Sequence, residues 1–541
     1  MNVRPLGLCL ACALACGGAL ASRTATDSPS APDANGTVLS ANAPAAVSPT
    51  ASGTTLVDFA KDAFGWLEFV PPAGVRGEYE VRLGEKLTAE GRVDMKPGGT
   101  IRAAEVRGTI AADGSHRVPL VADPRNTCGT NRLAKAVALA PERGVVMPFR
   151  YAEVVKAPFA PSAANVRRQM LHWPMDMKAA GFRSSSPELN RLYEFCKYTM
   201  LATSFAGVYV DGDRERIPYE ADAYINQLGH YAVDADYALA RKTFEWLMEH
   251  PTWPTEWKQY MIMIAWNDWM WSGSTGLVAR YYDRLVKEKL LLDWARADAL
   301  VVSVPKRARA DSGDIVDWPL GERDGFVFRP VNAVVNAFHY RNLLQMAEIA
   351  AALGKKEDET NFRARAGRVK AAYETVFYRP RLCAYADGEG TDHTSLHANA
   401  AALACGLVPA ERKRAIADFL VAKGMACSVY FAQYLLEALF EGGRADAAVR
   451  LMTAGGERSW MGMMEQGSTL AMEAWSLKAK RNQDWNHAWG TAPLNIIVRY
   501  VLGVRPTKPG FAEYEVKPQL GGLTFVEGTV PTPRGPIHVR R

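Results

Sequence analysis

From about Ser184 to Gly503 the chain repeats one pattern: an apolar helical stripe, a glycine, and a short link to the next stripe. In "NFRARAGRVKAAYETVF", residues 361–377, Phe362, Ala366, Val369, Tyr373 and Val376 recur at spacings of four and three, which places them on one helical face. Gly354, Gly406, Gly424, Gly442 and Gly503 end such runs, as glycine does where a helix closes in a left-handed turn. The pattern predicts roughly a dozen helices with mostly short connections, hence antiparallel neighbours. That arrangement points to a mainly α protein built on an α/α barrel over residues 159–503. A helical solenoid has the same helix count, but no fixed period runs through the sequence to favour it.

The flanks read differently. Over residues 55–158, alternating runs such as "YEVRL", "TIRAAEVRG" and "FRYAEVV", broken by Gly and Pro, predict an antiparallel, sandwich-like β domain. Alternation returns over residues 504–541 in "YEVKP", "LTFVEGTV" and "IHV", which supply too few strands for a closed sandwich of their own. Residues 22–54 are Ala, Ser, Thr and Pro with almost no large apolar side chain, a composition that predicts a flexible tether. Residues 1–21 combine Arg4, an apolar stretch from Leu6 to Cys16 and the small-residue site Ala19-Leu20-Ala21. They read as a secretory signal cleaved after Ala21, which predicts a periplasmic or extracellular protein, with acylation at Cys16 the minority outcome. The apolar core of this leader is short for a transmembrane span.

With 48% hydrophobic and 23% charged residues and a formal net charge of +6 on 541 residues, the chain is ordinary for a globular protein. Its Lys and Arg are scattered rather than gathered into a stripe, which argues against nucleic acid as a partner. Beyond the leader, the cysteines are Cys128, Cys196, Cys383, Cys405 and Cys427, widely spaced and without a Cys-x-x-Cys pair. This set predicts neither a metal site nor a disulfide scaffold, and no motif calls for a cofactor.

Charge crowds into "DGDRERIPYEAD", residues 211–222, directly before a long apolar and aromatic run. Pro218 reads as the first turn of a helix running to about His250, which makes 211–217 the loop feeding it. Glu220 and Asp222 would suit the positive end of that helix. Asp211, Asp213, Arg214, Glu215 and Arg216 are left for another purpose, the two arginines either pairing with Glu215 or holding other carboxylates apart. A proton-donating carboxylic acid needs a raised pKa, which burial or neighbouring carboxylates supply and adjacent Arg opposes. A second acidic segment is "EQGSTLAMEAW", residues 465–475, where Glu473 stands beside Trp475, followed by "DWNHAWG" with His487. Tryptophans cluster in "EWKQYMIMIAWNDWMW", mostly as core, with Trp266 a candidate platform for a sugar ring. The loop "DIVDWPLGERDGF" adds Asp317, Trp318, Arg323 and Asp324 as candidate binding residues. Two separated carboxylates among tryptophans are what glycoside hydrolysis requires, one to protonate the leaving oxygen and one to activate water. The implied partner is a carbohydrate.

These segments also resemble a known family. Glu215-Arg216-x-x-Tyr219-x-x-Asp222 looks like the E-R-x-x-W-x-x-D element of the bacterial α-L-rhamnosidases of glycoside hydrolase family 78. "GSTLAMEAW" is similar to their G-A-T-T-x-W-E-x-W segment, "NHAWG" to N-H-Y-A-x-G, and "RYVLGVRPTKPGF" to the approach to their C-terminal β domain. The resemblance implies an (α/α)6 barrel between β domains, inverting hydrolysis of α-L-rhamnosides, Glu215 as general acid and Glu473 as general base. It also implies sugar-binding roles for Asp222 and His487, with Tyr219 standing where the family has Trp. The family's upstream aspartate lies farther from the acid than Asp211 does from Glu215, which leaves Asp211 and Asp213 as rival candidates for its role. Its C-terminal β domain is longer than the one seen here. Two alternatives stand beside this reading: a barrel glycosidase for another sugar such as a uronide, and a glycan-binding relative without catalysis.

Overall fold

The computed structural model describes residues 29–127, 134–303 and 313–541. The expected leader and Cys128 lie outside these residues. The N-terminal domain is one antiparallel sheet. Its strands are β1 (Val38–Asn42), β2 (Ala46–Pro49), β3 (Thr55–Phe69), β4 (Gly77–Gly84), β5 (Ala103–Ile110), β6 (His116–Arg117), β7 (Met147–Lys156) and β8 (Val166–His172). The order is β1-β8-β3-β7-β4-β5, with β2 and β6 also paired to the long β3. Inward-facing Val57, Leu67, Phe69, Val81, Leu83, Phe149 and Val154 form its core.

This arrangement corrects the expected tether. Val38–Asn42 pairs with His172–Arg168 and Ala46–Pro49 pairs with Asp58–Thr55, so much of the low-complexity segment is sheet. Asp33 anchors it further through a 2.8 Å ion pair with Arg143. A segment that buries little by itself can still be ordered when its backbone groups satisfy the edge of an existing sheet.

After β9 (Gly181–Ser184) the chain is helical: α1 (Pro187–Ala202), α2 (Glu220–Tyr231), α3 (Ala238–Glu249), α4 (Thr255–Ser272), α5 (Gly276–Arg284), α6 (Ala333–Ala352) and α7 (Lys356–Phe377). A short hairpin, β10 (Tyr378–Arg379) with β11 (Ala384–Tyr385), leads to α8 (Leu396–Ala404), α9 (Lys413–Lys423), α10 (Ala432–Glu441), α11 (Ala445–Thr453), α12 (Trp460–Glu465) and α13 (Ala492–Ile496). Helices α2, α4, α6, α8, α10 and α13 pack in that order, and α13 returns to α2, which closes an inner ring. Every residue of α2 and α13 is buried, as are nearly all of α4, α6, α8 and α10, so these helices are apolar or internally bonded on all sides. The outer helices bury one stripe each. In α7 it is Phe362, Ala366, Val369, Tyr373 and Phe377, so Phe377 rather than the half-buried Val376 completes the predicted face. This is the (α/α)6 barrel.

The helix expected to run from Pro218 to His250 is two helices. Pro218 precedes the N-cap Tyr219, and the chain turns between Tyr231 and Ala238. There the side chains of Asp234 and Asp236 accept backbone N–H groups of Asp236 and Ala238, a local competition with helix that the apolar periodicity did not reveal. At the C-terminus, β12 (Val504–Pro506) pairs with β13 (Tyr514–Val516), and β14 (Val526–Val530) pairs with both β15 (Ile537–Arg540) and β9. The scarcity of C-terminal strands is thus met by borrowing one from before the barrel.

Candidate active site

The even-numbered helices from α2 to α10 run parallel, and at the N-terminal mouth of their ring lies a cavity of about 290 Å³. Its walls come from four places: the loop 211–219 and the first turn of α2, the approach to α4 with its first turn, the segment with Ile315 and Trp318, and the irregular segments around Glu473 and His487. Loop 211–219 is tight, with Gly212 at φ +105° and Arg216 at φ +54°. A Cβ on Gly212 would lie 2.9 Å from Asn486 Oδ1 and 3.1 Å from Asp484 Oδ2, so glycine lets this loop approach the segment leading to His487. Backbone bonds from Thr127 N to Arg214 O (2.8 Å) and from Val137 N to Arg216 O (2.9 Å) pin it on both sides of Glu215.

One guanidinium organises the charge. Arg214 Nη1 donates to Glu215 Oε1 at 2.6 Å and Nη2 donates to Glu473 Oε1 at 2.9 Å. Both carboxylates therefore face one cavity, although 257 residues of sequence separate their segments only in the chain and not in space. Glu473 also pairs with Lys480 Nζ at 2.8 Å and accepts the Asp484 N–H at 3.1 Å. Burial pushes its carboxyl up, but Lys480, Arg214 and His487 outweigh this and hold it below the usual range. Glu215 additionally accepts the Tyr219 hydroxyl at 2.8 Å. Burial raises Glu215, but a hydrogen bond from Asp211, the Arg214 charge and the Tyr219 hydroxyl prevail and bring it to about 2. Asp211 moves the other way: burial and the adjacent Glu215 carry its carboxyl well above the ordinary range. Two carboxyls in contact share one proton, and these environments put it on Asp211.

In the same cavity, Asp222 Oδ1 and His487 Nε2 meet at 2.7 Å. Asp222 Oδ2 and His487 Nδ1 are buried without a hydrogen-bond partner among the described residues. Burial raises the Asp222 carboxyl above its ordinary value even against His487. Aromatic rings supply the rest of the wall. Tyr219 stands edge-on to Trp253 and Trp257, with ring centres 6.2 and 5.5 Å away, His487 packs on Trp489 at 4.5 Å, and Trp318 stands half-exposed at the rim. A small polar ring with several hydroxyls and apolar C–H faces fits this mixture of carboxylates, imidazole and indoles.

Of the residues singled out in the sequence, Asp211, Arg214, Glu215, Tyr219, Asp222, Trp318, Glu473 and His487 line this cavity. Five others do not. Trp266 lies toward the far end of α4, its Nε1 bonded to Glu348 at 2.7 Å, on a separate cavity at the opposite mouth of the barrel. Trp475 is core, donating to Cys427 O at 2.7 Å and packed against Trp460. Asp317 is fully buried, where it accepts from His397 at 2.7 Å and from Ser428 and Trp318 backbone N–H groups, so it holds the loop that presents Trp318. Arg323 donates to the Asp317 carbonyl, and Asp324 pairs with Lys423 and caps Leu396 N. Asp213 also faces away from the cavity, toward Arg102 and Arg216. Sequence reasoning missed Trp253, Trp257, Ile315, Lys480, Asn482 and Trp489 as lining residues. The aromatic run and "NHAWG" did flag two of these tryptophans, but nothing local distinguishes Lys480 from the other lysines of "SLKAKRNQDW". Among the described residues there is no group of three or more His, Cys, Asp or Glu able to hold a metal, and no helix long and apolar enough to cross a membrane. The four described cysteines are unpaired.

Three family models match the chain: the bacterial α-L-rhamnosidase six-hairpin glycosidase domain over residues 177–501, its concanavalin-like domain over 48–172 and its C-terminal domain over 503–540. An α-L-rhamnosidase of Alteromonas sp. (strain LOR) is 25% identical over 390 residues, which cover 66% of this chain and 42% of that protein. The chain thus spans less than half of that relative's length. The structure of an α-L-rhamnosidase from Dictyoglumus thermophilum superposes with a TM-score of 0.72 at 18% identity, covering 92% of this chain and 55% of the other. That of a Streptomyces avermitilis α-L-rhamnosidase complexed with L-rhamnose gives 0.74 at 18% identity, covering 93% and 48%. These two likenesses concern the fold. With its central model matched over more than half of its length and both flanking models in order around it, the chain belongs to the bacterial α-L-rhamnosidase family.

Proposed function

We propose that this chain is a secreted glycoside hydrolase that removes terminal α-L-rhamnose from rhamnosides with inversion at the anomeric carbon. The observation that carries the reading is the Arg214 fork, which sets Glu215 and Glu473 against the same cavity as Asp222 and His487. In this mechanism Glu215 protonates the glycosidic oxygen as the C–O bond breaks. A water held by Glu473 attacks the opposite face and gives up its proton to Glu473. Glu473 suits the base role because Lys480 and Arg214 keep it ionised. Glu215 is not protonated by itself. The proton shared with Asp211 supplies it, and Asp211 thereby acts as the reservoir from which Glu215 is loaded when substrate displaces its other partners. The unpartnered oxygen of Asp222 and nitrogen of His487 are suited to sugar hydroxyls, and the indoles to the ring face and methyl group.

Proton NMR of an aryl α-L-rhamnoside during the first minutes of hydrolysis tests the reading. β-L-rhamnose is expected first, followed by mutarotation, and initial α product removes Glu473 from the base role. For the rival uronide reading, the cavity offers the cations Arg214 and Lys480, both of them already paired with Glu215 or Glu473. Faster cleavage of an aryl uronide than of the rhamnoside would establish that alternative. Secretion rests on the N-terminal leader: expression in a bacterial host should yield protein beginning at Ser22 in the periplasm or medium, whereas acylation at Cys16 would mean an anchored protein.

A further inference from the structure

Among the described residues none of the β domain lines the cavity, yet the β domain stands directly behind two of the loops that do. Arg102, immediately before β5, is 1% exposed. Its Nε lies 2.6 Å from Asp213 Oδ2, its Nη1 3.0 Å from Asp123 Oδ2, and its Nη2 2.5 Å from Asn126 Oδ1. Asp213 is two residues before Glu215, and its N–H donates to Asn486 Oδ1 at 3.0 Å, beside His487. Two residues before Arg102, the Thr100 hydroxyl donates to Asp484, whose own N–H donates to Glu473 Oε2 at 3.1 Å. A single β-domain segment therefore touches the loop of the candidate acid and the loop of the candidate base.

Buried ion pairs add little stability over apolar packing of the same volume, so stability alone gives no reason for this one. A charged fork that ties Asp213 to Asp123 and Asn126 fixes loop 211–217 against the β domain instead.

We propose that Arg102 and Thr100 are positioning residues, Arg102 for Glu215 by holding loop 211–217 through Asp213, and Thr100 for Glu473 by holding the Asp484 segment. The β domain then supports the catalytic centre from behind rather than being an appendage to it. This inference rests on the reading of Glu215 and Glu473 as acid and base.

The test uses the full chain and compares Arg102→Met, Arg102→Lys and Thr100→Val with the parent on a panel of aryl glycosides that includes the α-L-rhamnoside. Arg102→Met is expected to lower kcat about a hundredfold, the loss that a displacement near 1 Å produces, with KM changed far less. Arg102→Lys should recover part of the loss, and added guanidinium ion should raise the rate of Arg102→Met and not that of the parent. Thr100→Val, which removes one hydrogen bond to a charged group and keeps the fold's side-chain volume, should cost about tenfold in kcat. Unchanged kcat in a folded Arg102→Met, or a loss confined to Tm, overturns the proposal. If Arg102→Met does not fold, Thr100→Val decides, and an unaltered kcat there overturns it equally. A parent that cleaves another aryl glycoside but not the rhamnoside defeats the substrate reading alone, because the Arg102 effect is then read on that glycoside. A parent inactive on the whole panel overturns both.

Discussion

The two mouths of the barrel hold cavities of comparable size, about 290 Å³ at the N-terminal ends of the inner helices and about 380 Å³ at their C-terminal ends. Both contain tryptophan and arginine. At the C-terminal mouth each arginine meets carboxylate: Arg499 and Arg341 share Glu437 at 2.5 and 3.6 Å, Arg505 pairs with Glu441 at 3.1 Å and Glu515 at 2.8 Å, and the neutral Trp266 indole donates to Glu348. Arginines also suit the negative ends of helices, so this mouth is electrostatically at rest. At the N-terminal mouth four carboxyls, Asp211, Glu215, Asp222 and Glu473, face Arg214, Lys480 and His487 among the described residues, and two of them share a proton. What separates the candidate active site from the opposite cavity is its cluster of carboxyls, not volume or aromatic lining.

The largest expected effect sets one mouth directly against the other. Glu473→Gln should reduce kcat for an aryl α-L-rhamnoside by about 10³-fold or more, within the range general base catalysis contributes. Trp266→Ala, at the opposite mouth, should leave kcat/KM within about twofold, as surface substitutions away from a site do. A large loss from Trp266→Ala would erase the contrast.

Glu215→Gln should follow closely but unevenly. Substrates with poor leaving groups should lose about 10²- to 10⁴-fold, and activated aryl rhamnosides much less, because they need little protonation. Equal losses on both would turn Glu215 into a binding residue.

Lys480→Met sharpens the electrostatic half of the comparison. Glu473 must be ionised to accept a proton, and Lys480 is the leading influence holding its carboxyl down against burial. Without that charge the carboxyl titrates higher, so the acid limb of the kcat/KM profile should move up by about one pH unit. A profile that does not move would leave Arg214 alone responsible.

The smallest effect concerns stability at the seam between the β domain and the barrel. Asp62 is pushed up to about 6 by burial, and Glu85, in contact with it, is raised well above its range by burial and by Asp62. Both folded values exceed those of the unfolded chain, about 4, so between these limits the folded state binds more protons. Stability from this pair is complete below about pH 4; the share of Asp62 is lost as pH rises through about 6, and that of Glu85 at higher pH. Asp62→Asn needs no proton to bond Glu85, and Tm at pH 8 should rise by about 3 °C while Tm at pH 4 stays level. Equal shifts at both pH values would show that the pair is not titrating.

Much of the fold was legible because helices and strands leave periodic apolar patterns, and the inner helices of the ring confirmed the long barrel reading drawn from stripes such as Phe362 to Tyr373. The tether was misread because composition measures what a segment buries alone, whereas Val38–Asn42 and Ala46–Pro49 are ordered by strand pairing. In the candidate site, the crowding of charge singled out Glu215, and the acidic and histidine-bearing segments singled out Glu473 and His487, whereas the resemblance added Tyr219 and the sugar-binding role of Asp222, which the residues alone suited to a helix end. Trp266 and Trp475 were misplaced because a tryptophan in a run gives no sign of which end of its helix, or which layer, it will occupy.

The sequence by itself determined the periodicity, the breaks and the residue types able to move a proton, since these depend on neighbours three or four positions apart. Only the tertiary structure decided which charges meet. Arg214 reaches Glu473, Asp222 reaches His487 and Arg102 reaches Asp213 across 259, 265 and 111 positions of chain. Burial strengthens those meetings and sets where the protons sit, and burial is a property of the packed ring and not of any segment within it.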